Sequence, residues 1–82
     1  MIEDNPYFKV VDAEFPRIGQ KIKLFWGHPE FVRLMQDLQH DLGDRPRAGF
    51  PPEILFALHE LETDHDLIYP HLAGKNSGIW GI

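Results

Sequence analysis

One group of side chains in this sequence has the spacing of a metal-binding site. His59, Glu62 and Asp66 follow one another at intervals of three and four positions, so on an α-helix their side chains lie on one side. An imidazole and two carboxylates can hold a divalent metal ion as a cofactor. The HExxH spacing of zinc hydrolases is absent, because the next histidine comes two positions too late. A solvated acidic face explains the same residues, so a metal-binding protein or small metal-dependent enzyme is the alternative prediction.

Two arginines form a second candidate site. Arg45 and Arg47 flank Pro46 and precede a glycine. Guanidinium groups bind carboxylates and phosphates through paired hydrogen bonds, so these two residues are candidate ligands for an anion. Each arginine could instead pair with a neighbouring aspartate or glutamate and fix the loop, which is the structural interpretation. The sequence has no glycine-rich phosphate loop and no nucleophile elbow.

A histidine also lies on an apolar stripe. Leu58, Leu61 and Ile68 define the predicted core side of one helix, and His65 falls on the same side. A functional interpretation makes His65 a buried proton acceptor or ligand. Its neighbour one turn earlier is Leu61, so no carboxylate on that stripe can orient the ring. We therefore expect a boundary histidine that is partly buried and hydrogen-bonded.

The charge balance argues against nucleic acid as a partner. The 82 residues include 8 Lys and Arg against 13 Asp and Glu, a formal net charge of −5. Proteins bind nucleic acids largely by neutralising phosphates, so an acidic chain needs a concentrated basic patch. The absence of cysteine excludes disulfides and thiol catalysis. No apolar run is long enough to span a membrane, and the acidic start of the sequence is unlike a signal peptide, so we expect a cytoplasmic protein.

Helices are the elements that would position these residues. Proline suits the first position of a helix, and several prolines precede helix-compatible runs. The spacing of the apolar residues predicts three principal helices, over residues 16–26, 29–42 and 52–68. The first two are joined by only Gly27 and His28, which predicts a tight antiparallel or angled pair. Gly19 lies on the apolar stripe of the first helix, where it either admits a close neighbour or is merely tolerated.

The two ends of the chain have weaker patterns. Residues 1–14 are predicted as an N-terminal arm or a short helix that would use Phe8 and Val11. Residues 69–82 contain a proline and several glycines, so we expect an irregular tail that docks on the rest of the protein. The sequence as a whole predicts an all-α fold, a single helical domain over residues 1–82. It would be a small bundle of three principal helices with an irregular C-terminal tail.

Part of the sequence has a familiar layout. The stretch that carries it includes Phe15-Pro16-Arg17-Ile18, Leu24-Phe25-Trp26-Gly27, Arg45, Arg47 and Gly49-Phe50-Pro51. This layout resembles that of small bacterial proteins with an FPRI…LWG…RxGFP pattern, over roughly residues 15–61. The resemblance implies a bacterial, cytoplasmic origin. It implies no catalytic or binding role for any residue.

The apolar residues left over by the predicted core suggest an interaction surface. A domain of this size buries only about 60% of the surface of its unfolded chain. The large apolar residues that are hardest to cover internally are Leu24, Phe56, Leu67 and Trp80. We predict that they form a self-association or partner surface, most simply that of a two-fold homodimer, in a non-enzymatic interaction or accessory protein. If the C-terminal tail folds back over Phe56 and Leu67 instead, the chain would be a self-contained monomer.

Overall fold

The computed structural model describes residues 1–40 and 49–72, and this part of the chain is helical without a β-strand. After a 3₁₀ turn over Ile2–Asp4, the helices are α1 (Pro6–Glu14), α2 (Pro16–Phe25), α3 (Phe31–His40) and α4 (Pro52–Ile68). The predicted all-α bundle is confirmed. The N-terminal segment forms a helix rather than an extended arm, so α1 joins the three helices that were predicted.

Proline and asparagine fix where three of the helices begin. Pro6, Pro16 and Pro52 each occupy a first-turn position, where the missing N–H costs no hydrogen bond. Asn5 caps α1, because its Oδ1 accepts hydrogen bonds from two backbone N–H groups. The donors are Tyr7, at 2.7 Å, and Phe8, at 3.2 Å. This cap satisfies groups that would otherwise lack partners at the start of a helix.

The connection between α2 and α3 consists of turns. Gly27 has a φ of 86°, a left-handed conformation that residues with a side chain rarely adopt. The N–H of His28 donates to the carbonyl of Phe25 at 2.8 Å, and that of Phe31 donates to the carbonyl of His28 at 3.0 Å. Because these turns take up the connection, α3 begins at Phe31 and not at Pro29 as predicted.

α1 packs against α4, and it runs antiparallel to it because its two ends lie beside opposite ends of that helix. At one end of α1, Nδ2 of Asn5 donates a hydrogen bond to Oδ2 of Asp64 at 2.9 Å. At the other end, the ring of Phe15 packs edge-on against Phe50, just before α4, with ring centroids 5.1 Å apart. The two contacts fix both ends of the helix pair.

The two helices that are neighbours in sequence, α2 and α3, pack mainly on different partners. The extensive contacts of α2 are with α1, and those of α3 are with α4. Lys23 and Glu3 form an ion pair at 3.8 Å, which brings the end of α2 back beside the N-terminus. Gln39 of α3 donates to Glu62 of α4 at 3.0 Å. The predicted tight pairing of these two helices is therefore wrong, because a short link joins the helix ends without dictating where each apolar stripe packs.

The core is formed by residues from every helix. Its fully or nearly fully buried apolar side chains are Ile2, Phe8, Val11, Ile22, Phe31, Met35, Ile54, Ala57, Leu58 and Leu61. Ile68 was predicted to join them, but its side chain is exposed. The start of α1 lies beside Asp64, one turn short of Ile68, so the last turn of α4 extends beyond the helix that would cover it.

Gly19 marks a close approach between α1 and α2. The residue is buried, and a Cβ atom placed on it would lie 2.9 Å from the Cβ of Asp12 on α1. That separation is too short for two carbon atoms, and rotating the Asp12 side chain cannot move its own Cβ. The close-neighbour interpretation of this glycine is confirmed, with a side chain of α1 as the neighbour.

Substituting this glycine should therefore destabilise the protein. Alanine has the better helix propensity by about 1 kcal/mol, but we expect Gly19→Ala to lower the free energy of unfolding by about 1–3 kcal/mol, because the two helices must move apart. Urea denaturation measures the change. Gly49→Ala is the matched control, since a Cβ on Gly49 meets no atom of residues 1–40 and 49–72 within 4 Å. Equal stability of the Gly19→Ala variant and the unsubstituted protein would contradict the prediction.

Candidate functional site

The three predicted metal ligands lie in different environments on α4. His59 is exposed, whereas Glu62 is half-buried and faces α3. The Glu62 carboxylate accepts hydrogen bonds from Nε2 of Gln39 at 3.0 Å and from Nε2 of Gln36 at 3.3 Å. Both carboxylate oxygens of Glu62 thus already have partners within the fold.

Asp66 is the third of these residues, and it lacks such partners. Its Oδ1 is buried and has no hydrogen-bond partner among the described residues. Burial raises the pKa of the Asp66 carboxyl above its ordinary value, and the charge of Glu62 raises it further. Within the described part of the chain, no three His, Asp or Glu side chains are grouped so that they could hold a metal ion. The metal site therefore remains a prediction from spacing alone.

Three other residues belong to predicted sites. Arg45, Arg47 and Trp80 lie outside the described residues. Anion binding by the two arginines, and docking of the C-terminal tail through Trp80, remain predictions from the sequence.

Leu24, Phe56 and Leu67, the predicted interaction residues within the described part of the chain, are all exposed. The exposed fraction is 78% for Leu24, 56% for Phe56 and 74% for Leu67. Phe56 and Leu67 are eleven positions apart on α4, which puts them on one side of the helix, three turns and about 16 Å apart. This side is opposite to the buried stripe that contains Leu58. We call it the outer face of α4.

One end of the outer face is extended by α1. The ring of Tyr7 packs edge-on against Phe56, with the ring centroids 5.8 Å apart. Val10, three positions after Tyr7, is also exposed. The apolar surface at this end is thus built from two helices. Its α1 half is not predicted from the sequence, because the pattern of residues 1–14 fits both an arm and a helix. The spacing of Tyr7 and Val10 would have indicated it once the helix was assumed.

Leu24 belongs to a different part of the surface. It lies on α2, two positions after the buried Ile22, so its side chain points away from the core. The main packing partner of α2 is α1, not α4. The four residues that were predicted as one surface are therefore divided between α2, the outer face of α4 and a segment outside the described residues.

Acidic residues lie between Phe56 and Leu67, which are the two apolar anchors of the outer face. Glu60 and Asp64 follow Phe56 at intervals of four and eight positions, on the side of the helix nearer to α1. Both are half-buried, and Asp64 accepts the hydrogen bond from Asn5. The outer face therefore combines exposed apolar groups at its ends with negative charge between them.

A second notable feature is an aromatic cluster around His65. The His65 side chain is 0% exposed and stacks on the ring of Phe31, with ring centroids 4.4 Å apart. Trp26 and Tyr69 enclose it from other directions, at centroid distances of 5.3 and 5.1 Å. Gly27 helps to close the cluster, because a Cβ there would lie 3.3 Å from the Tyr69 ring. The cluster joins the end of α2, the start of α3 and the end of α4.

The surroundings of His65 differ from the prediction. A partly buried, hydrogen-bonded ring was expected, yet the ring is fully buried and neither of its nitrogens has a hydrogen-bond partner among the described residues. Burial lowers the pKa of His65 to about 4, because the charged imidazolium would lose its hydration. His65 is thus a neutral core residue at pH 7.

Comparisons of the chain with protein-family models, with curated proteins and with solved structures found no match. The resemblance in sequence layout therefore stays a prediction, and function has to be inferred from the side chains themselves. Of the helices in residues 1–40 and 49–72, none combines the length and the apolar composition needed to cross a bilayer.

Proposed function

We propose that this chain is a non-enzymatic interaction protein of the cytoplasm that binds another protein through the outer face of α4. The observation that supports the proposal is the exposure of Phe56 and Leu67 on one side of the same helix. Covering a large apolar side chain is worth about 1.5–3 kcal/mol, so two such anchors supply a substantial part of the free energy of a protein–protein contact. Tyr7 and Val10 widen the contact at the Phe56 end.

Catalysis has less support from the same side chains. His65 is enclosed by three aromatic rings, so a substrate has no access to its nitrogens. Glu62 is engaged by two glutamines of α3. A general acid or base must be able to reach the group that exchanges a proton with it, and neither of these residues meets that condition.

Site-specific photo-crosslinking tests the proposed surface. A benzophenone amino acid is incorporated at Phe56, at Leu67 or at Leu24, and the full-length protein is irradiated in cells of its source organism. We expect discrete adducts from the two positions on α4. Leu24 is the matched control, because it is equally apolar and at least as exposed but lies on α2. The mass of each adduct shows whether the partner is a second copy of the chain, as in a two-fold homodimer, or another protein.

Two results would contradict the proposal. One is the absence of discrete adducts at both positions on the outer face. The other is the same pattern of adducts from Leu24, because exposed apolar side chains would then be captured without regard to surface.

A further inference from the structure

The charge of α4 is entirely negative apart from its histidines. The helix contains no lysine or arginine and has five carboxylates, at Glu53, Glu60, Glu62, Asp64 and Asp66. Four of the five form like-charged pairs one turn apart, Glu60 with Asp64 and Glu62 with Asp66, which destabilise an isolated helix. The acidic residues therefore do not help the isolated helix, and a stabilising role within α4 does not explain them.

The rest of the described chain does not neutralise the outer face. The ion pairs within residues 1–40 and 49–72 join Lys23 to Glu3 and the N-terminal amino group to Asp4. Neither involves Glu60 or Asp64. The space between Phe56 and Leu67 thus has negative charge that is available to a partner.

This charge disfavours a second copy as the partner. Glu60 lies close to the line between the two apolar anchors. If two copies of α4 packed through their outer faces about a two-fold axis, parallel or antiparallel, the two Glu60 carboxylates would come close together near the centre of the contact. Like charges at a desolvated interface cost free energy, so the apolar attraction at the ends would be opposed in the middle.

We infer that the partner of the outer face is a basic amphipathic helix. The inference rests on the proposed function and adds the chemistry of the partner. Such a helix would place one apolar side chain over Phe56 and Tyr7 and another over Leu67, eleven positions away. Its lysines or arginines would lie between them, opposite Glu60 and Asp64. A single amphipathic helix would then match both the apolar spacing and the charge of this surface.

A model peptide tests the inference directly. A labelled leucine–lysine peptide with the amphipathic pattern of a five-turn helix is titrated with the full-length protein, and binding is followed by fluorescence anisotropy. A leucine–glutamate peptide of the same pattern is the control ligand. We expect only the basic peptide to bind, with an affinity that falls as salt is added. Phe56→Ser, Leu67→Ser and Glu60→Lys should each weaken binding at least tenfold.

Two control variants show whether a loss of binding is specific to the outer face or follows from any lost apolar side chain or changed net charge. Leu24→Ser removes an exposed apolar side chain from α2, and Glu30→Lys changes the net charge by the same amount as Glu60→Lys, at an exposed position before α3. Both should change the affinity less than twofold. Circular dichroism confirms that each variant is folded.

Three results would overturn the inference. If Glu30→Lys weakens binding as much as Glu60→Lys, the peptide senses only the overall charge. If the basic peptide does not bind, the partner has a different chemistry, although crosslinks from Phe56 would still support the proposed function. If light scattering shows a dimer that Phe56→Ser disrupts, a second copy occupies the surface.

Discussion

Lowering the pH from 6.5 to 4 should remove about 3 kcal/mol from the free energy of unfolding through His65 alone. The pKa of this residue is about 4 in the folded protein, against 6.5 for an unburied histidine. The unfolded chain therefore binds a proton in this range that the folded chain does not, and acid favours unfolding. The stability is present in full above pH 6.5 and is lost as the pH falls through the folded pKa.

Substitution of His65 by leucine should abolish this part of the pH dependence. Leucine is close to histidine in volume and has no polar atoms to desolvate, so the His65→Leu variant should be at least as stable as the original protein at pH 7. Urea denaturation at several pH values between 6.5 and 4 measures the difference. His40→Gln is the control, because it removes a histidine from an exposed position outside the core. An equally steep pH dependence in the His65→Leu variant would contradict the assignment.

Truncation of Phe31 should cause one of the largest losses of stability available in this chain. Its ring is 0% exposed, stacks on His65 and meets the edge of Trp26 at a centroid distance of 5.2 Å. We expect Phe31→Ala to cost about 3–5 kcal/mol, because it removes buried apolar surface and leaves a cavity where three elements meet. In a chain of this size such a loss is a large fraction of the total stability.

A second, milder substitution of Phe31 allows the loss of stability to be measured even if the alanine variant does not fold. Phe31→Leu should cost less than Phe31→Ala and leave a folded protein for denaturant titration. Phe56→Ala is the matched control, because it truncates the same residue type at an exposed position of α4 and should cost about 1 kcal/mol or less. A similar loss for both alanine variants would show that the aromatic cluster is not a main source of stability.

Much of the helical structure followed from local patterns. The bounds of α4 were predicted because Pro52 suits a helix start and the apolar stripe that follows continues without interruption. The segment from Pro6 was harder, since Phe8 and Val11 fit a helix while the alternation around them fits an extended arm. The choice between the two depends on the Asn5 cap and on the surface that α4 offers, and the sequence pattern alone does not show the second of these.

The tertiary features were less accessible from the sequence. The pairing of α2 with α3 was expected from their short link, but a link constrains two helix ends and leaves the packing to the apolar stripes. His65 was correctly placed on a buried stripe, while its complete burial depends on Trp26, Phe31 and Tyr69 meeting around it from separate elements. For the candidate site, Phe56 and Leu67 were identified from the sequence, whereas the role of Tyr7 required the contact between α1 and α4.

The antiparallel packing of α1 on α4 has a consequence for synthesis on the ribosome. Asn5 and Asp64, which form a hydrogen bond with each other, are 59 residues apart, so the surface of α1 that α4 covers stays open until α4 has emerged. At about 5–20 residues per second, the interval between completion of α2 and completion of α4 is roughly 2–9 seconds. During that interval the apolar side of α1 and α2 is available to chaperones, and stable folding of these helices has to wait for α4.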